Sequence, residues 1–208
     1  MSSPERSGQV VNLDSARKTV DPTPPTIEVP DQPGETGIPP RVPPRYARTL
    51  DQLGDSPTAK AILDWVADRP TSGLLLVGPV GTGKSTAAGA IGLHLGAPYR
   101  CSYWPVPDLI AALKDEMHNP TDGYTVAQKI KRRTALVLDD IGTEHDTDWQ
   151  RKVLTDLIAH AYDQQHTLIA TTNLAPADLE RALGERTASR LVEMCTLLAV
   201  TGNDRRRA

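Results

Sequence analysis

Eight residues constrain this chain more than any other stretch: GPVGTGKS at 78–85 fits G-x-x-x-x-G-K-[ST] in full. They directly follow the apolar run LLLV and open the helix-forming segment STAAGAIGLHL. Strand, glycine turn and helix thus agree with the motif. Gly78, Gly81 and Gly83 let the backbone turn tightly and aim N–H groups at an anion. The helix beginning near Gly83 adds its positive dipole end. In such a loop Lys84 reaches the β- and γ-phosphates of a nucleotide, and the Ser85 hydroxyl ligates Mg²⁺. Pro79, Val80, Thr82 and Thr86 complete the candidate cradle.

The surrounding pattern predicts the fold class. Short β-branched or leucine-rich runs at GLLLVG (73–78), YRCSYW (99–104), TALVLDDIG (134–142), TLIATTN (167–173) and CTLLAV (195–200) read as strands. Helical segments fall between them, at 84–95, 107–117, 148–164, 175–183 and 185–193, with another ahead of the first strand at 56–69. Ser56 is the expected N-cap of that first helix and Pro57 its first residue. Ala59, Ile62, Leu63, Val66 and Ala67 are its expected inner face. On the 148–164 segment the face is Val153, Leu157, Ile158 and Ala161. The alternation predicts an α/β fold, a five-stranded parallel sheet with helices on both faces.

Prolines are concentrated at the start: ten of the 18 lie in the first 44 residues. Proline removes an amide donor and biases its predecessor toward extended backbone. Residues 1–48 are therefore expected to be a disordered Pro-rich arm, either a passive tail or a docking segment for a partner. The domain is expected at 49–208. The arm is neutral, so the whole formal charge of −3 falls on the domain. That total excludes a globally basic nucleic-acid coat and leaves room for a local patch. No run approaches the roughly 18 apolar residues of a membrane span, and MSSPERSGQVV lacks a signal-peptide pattern. Two distant cysteines make no disulfide framework. The expected location is a reducing cytoplasm.

A phosphate loop needs an acidic partner on a nearby strand. ALVLDD (135–140) ends in two carboxylates. Asp139 is the candidate Mg²⁺ holder, directly or through water, and Asp140 the group that orients or deprotonates the attacking water. Taken alone, Asp-Asp after a strand reads better as a solvated turn, and the phosphate loop is what turns the reading toward a metal site. The next strand ends Thr171-Thr172-Asn173, from which Asn173 is the candidate for holding that water against the γ-phosphate. Its other reading is the start of a turn.

GPVGTGKST, LVLDDIGTE and IATTN stand in order, followed by LGERTASRL (183–191) and VTGNDRR. Together, from about Thr49 to Arg205, they resemble the AAA+ ATPases of the DnaC/DnaI helicase-loader family and the related IstB transposition helpers. The resemblance implies a P-loop NTPase core without a C-terminal lid, using ATP and Mg²⁺. It assigns Arg190 the arginine-finger position, with Arg186 the second candidate, acting on a neighbouring subunit in an ATP-bound homo-oligomer. By residues alone, the two are an i, i+4 pair on a solvated helix face. The implied partner is a DnaB-type replicative helicase. The implied process is DNA replication, with a transposase helper as alternative and a small P-loop kinase a third, less favoured reading. The family's Arg-Tyr at the end of the long helix is Ala161-Tyr162 here, and the Pro-rich arm carries no cysteine.

Loaders of this kind often touch single-stranded DNA. The candidate is KIKRR, with Lys129, Lys131, Arg132 and Arg133 after Tyr124. Its other reading is a solvated helix end. Cys101 and Cys195 read as buried inert thiols, and the five histidines form no metal-ligand spacing.

Overall fold

The computed structural model describes residues 42–67, 72–96, 98–120, 123, 125–142 and 147–201. A short 3₁₀ helix, Leu50–Leu53, leads into α1 (Pro57–Ala67), then β1 (Gly73–Val77) and α2 (Lys84–Leu95). β2 (Cys101–Pro105), α3 (Val106–His118), α4 (Val126–Lys131), β3 (Ala135–Asp139) and α5 (Asp148–Asp163) follow. The described chain ends with β4 (Thr167–Thr172), α6 (Pro176–Leu183), α7 (Glu185–Met194) and β5 (Cys195–Ala199). The five expected strands and their parallel pairing are all present, in the order β2-β3-β4-β1-β5.

The middles of the central strands are apolar because both of their faces are buried. Leu75, Leu136, Leu138, Leu168 and Ala170 point into a layer built from α3, α4, α5, α6 and α7. Their neighbours Leu74, Leu76, Ala135, Val137 and Ile169 point to the opposite layer, built from α1, α2 and the 3₁₀ helix. The helix leaving β1 thus covers one face, and those leaving β3 and β4 the other. Where adjacent strands β1 and β4 send their connections to opposite faces, a crevice opens at the strands' C-terminal ends.

Local signals account for most element ends. The Ser56 hydroxyl accepts from the Ala59 N–H at 3.1 Å, the expected cap. Thr125 and Gln128 form a capping box on α4, a helix the sequence reading did not separate from its connection. On α1 the buried side chains are Ala59, Ile62 and Trp65, while Leu63 and Ala67 are exposed. Residues 59, 62, 65 and 66 form one i, i+3, i+4 stripe, and Leu63 lies about 100° from Ile62 around the helix.

The packed domain begins earlier than Thr49. Val42 and Tyr46 pack against the α1/α2 layer, and the Tyr46 N–H donates to the Pro43 carbonyl at 2.8 Å. A Cβ on Gly89 would lie 2.5 Å from the Tyr46 carbonyl oxygen, so glycine there permits the strap to lie on α2. The rest of the expected arm, 1–41, lies outside the described residues, as do Tyr124, residues 143–146 and the closing GNDRRRA. Among the described residues no helix is long and apolar enough to cross a membrane.

Candidate functional site

β1 delivers the glycine loop to the crevice. Gly81 and Gly83 have φ of 85° and 97°, which side-chain-bearing residues rarely adopt. Gly83 is the left-handed N-cap of α2, so Lys84 and Ser85 stand in that helix's first turn. Lys84 is almost wholly buried, and its Nζ donates to the carbonyls of Gly78 at 2.8 Å and Pro79 at 2.7 Å. The Thr82 hydroxyl also donates to Pro79 O, at 2.9 Å. The loop is thereby closed on its own carbonyls.

β3 brings Asp139 to the same end of the sheet, 3% exposed. Its two oxygens are engaged from both flanking strands. Tyr103 on β2 donates its hydroxyl to Oδ2 at 2.7 Å. Thr171 on β4 donates to Oδ1, also at 2.7 Å. The same Thr171 oxygen accepts the Asp140 N–H at 2.8 Å. Asp140 turns sharply out of the strand, with φ of 68°. Its Oδ1 accepts from Asn173 Nδ2 at 2.8 Å. Thr172 ties down the following turn, donating to Ile141 O and accepting from Leu174 N–H. Burial above all, and then the Asp139 carboxylate, push the Tyr103 hydroxyl well above its ordinary pKa.

Lys84, Ser85, Asp139, Asp140, Thr171 and Asn173 face one cleft of about 460 Å³. Val80, Gly81, Gly83 and Thr86 line it too, with Pro105 and Pro107 beyond Asp139. A smaller hollow on the other side of the loop is shared by Thr82, Gly83 and Thr86 with Leu53, Ile62 and Val200. The donor set suits a hard cation: a serine hydroxyl and a carboxylate whose every oxygen already holds one hydrogen bond and retains a second lone pair. Among the described residues no group of three or more His, Cys, Asp or Glu side chains is placed to hold a metal. Ser85 and Asp139 would therefore share an Mg²⁺ with phosphate oxygens and water, as this ion prefers.

The two arginines stand apart from the cleft. α7 runs into Cys195, which pairs with Gly73 at the end of β1 opposite the phosphate loop. Arg190 lies near that end, its guanidinium 5.3 Å from the Tyr162 ring centre and 3.7 Å from Asp163 Oδ1, at the C-terminus of α5. Arg186 is exposed on the same helix. The basic segment is also at that end, just before β3. Lys129, Lys131 and Arg132 are exposed, Arg133 is half-buried, and Ile130 anchors α4 in the core. The His160 ring Nε2–H donates to the Lys131 carbonyl at 3.0 Å.

Three side chains at the site carry no role in the sequence reading. Tyr103 looks like an ordinary strand residue until β2 is paired with β3. The register sets it beside Val137, two residues before Asp139 on the same face. A tyrosine's length matches that rise of roughly 6.6 Å. Thr171 was seen only as part of its triplet, but extending the pairing of Leu138 with Ala170 sets it directly beside Asp139. Arg45, which also lines the cleft, was counted as part of the arm.

A parallel sheet ordered β5-β1-β4-β3-β2, with a phosphate loop after β1, an acidic pair after β3 and a polar strand end after β4, defines a P-loop NTPase of the AAA+ type. The chain belongs to the family described as IstB-like ATP binding protein, whose model matches residues 46–208. Among solved structures it is similar to the DnaC helicase loader, with 29% identity and a TM-score of 0.67, covering 76% of this chain and 99% of that one. A putative primosome component from Streptococcus pyogenes is 25% identical, covering 73% of this chain and 84% of that one, with a TM-score of 0.55. AMPPCP-bound DnaA from Aquifex aeolicus shares the fold at 20% identity and a TM-score of 0.65, over 80% of this chain and 53% of DnaA. No curated protein matches the chain by sequence.

Proposed function

We propose that this chain is an Mg²⁺-dependent ATPase that loads a DnaB-type replicative helicase onto single-stranded DNA. The observation that carries the loader reading is the likeness to the DnaC helicase loader, which spans nearly the whole of that chain. The hydrolytic reading is supported by the carboxylate pair clamped opposite Lys84 and Ser85 in one cleft.

In this reading the loop amides and Lys84 bind the phosphates, and Ser85 with Asp139 holds the metal. When bound, Mg²⁺ neutralises charge on the β- and γ-phosphate oxygens. Asp140 accepts the proton of the attacking water. Asn173, fixed on Asp140 Oδ1, sets that water in line with the γ-phosphate. Arg190, carried at the far end of the sheet, serves the cleft of a neighbouring subunit rather than its own. Each subunit alone is then nearly inactive, and assembly with ATP completes the site. Hydrolysis removes the contact that favours the assembled state and times partner release. Single-stranded DNA contacts the exposed Lys129, Lys131 and Arg132, with Arg133 beside them.

The test is co-purification of the full chain with a replicative helicase, with ATP and with ADP, alongside helicase delivery to a single-stranded circle. ATP-dependent capture and delivery are expected. Membership of the IstB-like family favours one other reading, a helper of a transposase on duplex DNA. Capture of a transposase with no helicase delivery would replace the loader reading by that one.

A further inference from the structure

Besides Lys84, the cleft has a second cation that no motif accounts for. Arg45 lines it together with Tyr46, Pro105, Pro107 and the two aspartates. Arg45 belongs to the strap that crosses α2 ahead of the 3₁₀ helix, and the strap is fixed on both sides of it. Val42 and Tyr46, both half-buried, pack against the core. The Tyr46 and Ala47 amides both donate to the Pro43 carbonyl, at 2.8 and 3.1 Å, so residues 43–47 form a tight turn. Two consecutive prolines, Pro43 and Pro44, limit the backbone just before Arg45.

The side chain is directed as well. The Arg45 guanidinium carbon lies 4.6 Å from the Tyr46 ring centre, a cation-π stack that holds the stem against the strap. Among the described residues Arg45 forms no ion pair. Its position along the cleft follows from its neighbours. The small hollow bounded by Leu53, Ile62 and Val200 is on the other side of the glycine loop and does not include Arg45. Arg45 instead shares the main cleft with Asp139, Asp140, Thr171 and Asn173. A triphosphate whose β-phosphate lies in the loop extends its γ-phosphate toward those residues. A guanidinium stays charged at any working pH and matches phosphate oxygens in planar, two-pronged geometry.

We infer that Arg45 is a specificity-determining residue of the nucleotide site, a cation supplied by the chain's own strap that contacts the terminal phosphate and so discriminates ATP from ADP. The inference rests on the ATP-binding reading of the cleft and deepens it. It places nucleotide sensing within one subunit, in addition to any arginine supplied by a neighbour. A diphosphate ends short of Arg45 and gains nothing from it.

The test is equilibrium binding of AMPPCP and of ADP, each with Mg²⁺, to the full chain and to Arg45→Ala, Arg45→Lys and Lys84→Ala. For Arg45→Ala, AMPPCP affinity should fall about tenfold, the scale of one lost charge-assisted hydrogen bond. ADP affinity should stay within about twofold, and Arg45→Lys should fall between. Equal losses for both nucleotides, or no loss for either, overturn the inference. If the unmodified chain binds neither nucleotide, the reading of the cleft fails and the inference with it. If it binds both, Lys84→Ala abolishes both and Arg45→Ala leaves the AMPPCP/ADP ratio unchanged, the inference alone fails. Melting without nucleotide checks that the variants fold. Arg45→Gln, which keeps the stem on Tyr46, must show the same change in ratio.

Discussion

The Tyr103 hydroxyl and Asp139 Oδ2 are 2.7 Å apart in a buried position, joining β2 to the carboxylate at the end of β3. With Thr171 on the other oxygen, Asp139 is held from both neighbouring strands and cannot rotate away from the cleft. Tyr103→Phe keeps the ring and removes the donor. It is expected to destabilise the fold by about 1–2 kcal/mol, the cost of leaving a buried charged acceptor one bond short. In turnover assays it should raise the Mg²⁺ concentration giving half-maximal rate several-fold, with a smaller effect on the rate at saturating metal. Thermal melting and an Mg²⁺ titration of ATP hydrolysis check both. An unchanged titration would make Tyr103 a packing residue only.

Asn173 Nδ2 donates to Asp140 Oδ1 at 2.8 Å, and substitutions at this pair can separate nucleotide binding from chemistry. Asp140→Asn is the suitable substitution because asparagine tolerates the left-handed backbone at this position, φ 68°. Asp140→Asn should lower the hydrolysis rate by about 10²–10⁴ while leaving nucleotide affinity nearly unchanged. Asn173→Ala should lower the rate less, since it removes the orienting contact and leaves the carboxylate. Single-turnover hydrolysis together with equilibrium nucleotide binding checks the split. A loss of affinity equal to the loss of rate in either variant would show that the pair binds nucleotide rather than acting on water.

The strands, the phosphate loop and the acidic pair were legible because each rests on local pattern. A run such as LLLV can only be buried on both faces, and GPVGTGKS carries its own backbone requirements. Tyr103 was not legible. Its role depends on which strand β2 pairs with and in which register, a relation between residues 36 positions apart. The strap at 42–46 was hidden for another reason. Its prolines argue against helix and strand, and they do, but a chain without either can still pack. The spacing of Val42 and Tyr46 matters only because Gly89 and Gly92 leave α2 open beneath them. On α1 the expected inner face fails at Leu63 and Ala67, which are exposed because their angles on the helix carry them away from the Ala59–Ile62–Trp65 stripe.

Gly89→Ala tests that strap. The added Cβ would lie 2.5 Å from a backbone oxygen, which cannot rotate aside as a side chain does. The favourable helix propensity of alanine, about 1 kcal/mol over glycine, would be overridden by displacement of the strap at a cost of about 1–3 kcal/mol. A net loss in melting temperature is expected. A gain would mean that 42–46 does not pack on α2.

Arg190 stacks on Tyr162 of its own subunit and lies within 3.7 Å of Asp163. As an arginine finger it would be held ready by these contacts. Arg190→Ala should reduce ATP turnover by about 10³ or more in the assembled state, with nucleotide binding retained. Lys84→Ala should be inactive for the opposite reason, loss of its own phosphate contact. Mixing the two inactive variants should restore part of the activity, because an intact cleft from one meets an intact arginine from the other. No recovery on mixing, with each variant folded and assembled, would place Arg190 in a structural role, and Arg186→Ala would be the next variant to mix.

Cys101 and Cys195 are free and buried, one in each layer of the core, and burial pushes both thiols from 9.0 up to about 12. The Cys195 Sγ faces the Leu168 carbonyl at 3.7 Å, a contact that a thiolate could only make worse. The folded state therefore keeps both protons to a higher pH than the unfolded chain does. Between about pH 9 and pH 12 the unfolded state holds fewer protons, so stability falls as pH rises through that window. Below pH 9 both states keep the protons and the contribution is fully present. Unfolding free energy should thus lose nothing to the thiols between pH 7 and 8.5, and decline above about pH 9. In Cys101→Ala/Cys195→Ala the decline should be shallower. Some should remain because the buried Tyr103 hydroxyl is pushed upward in the same sense. Alkylation at pH 8 provides an independent check. Neither thiol of the native chain should react with iodoacetamide on the timescale that labels both after unfolding in urea, and rapid labelling of either in the native state would contradict its burial.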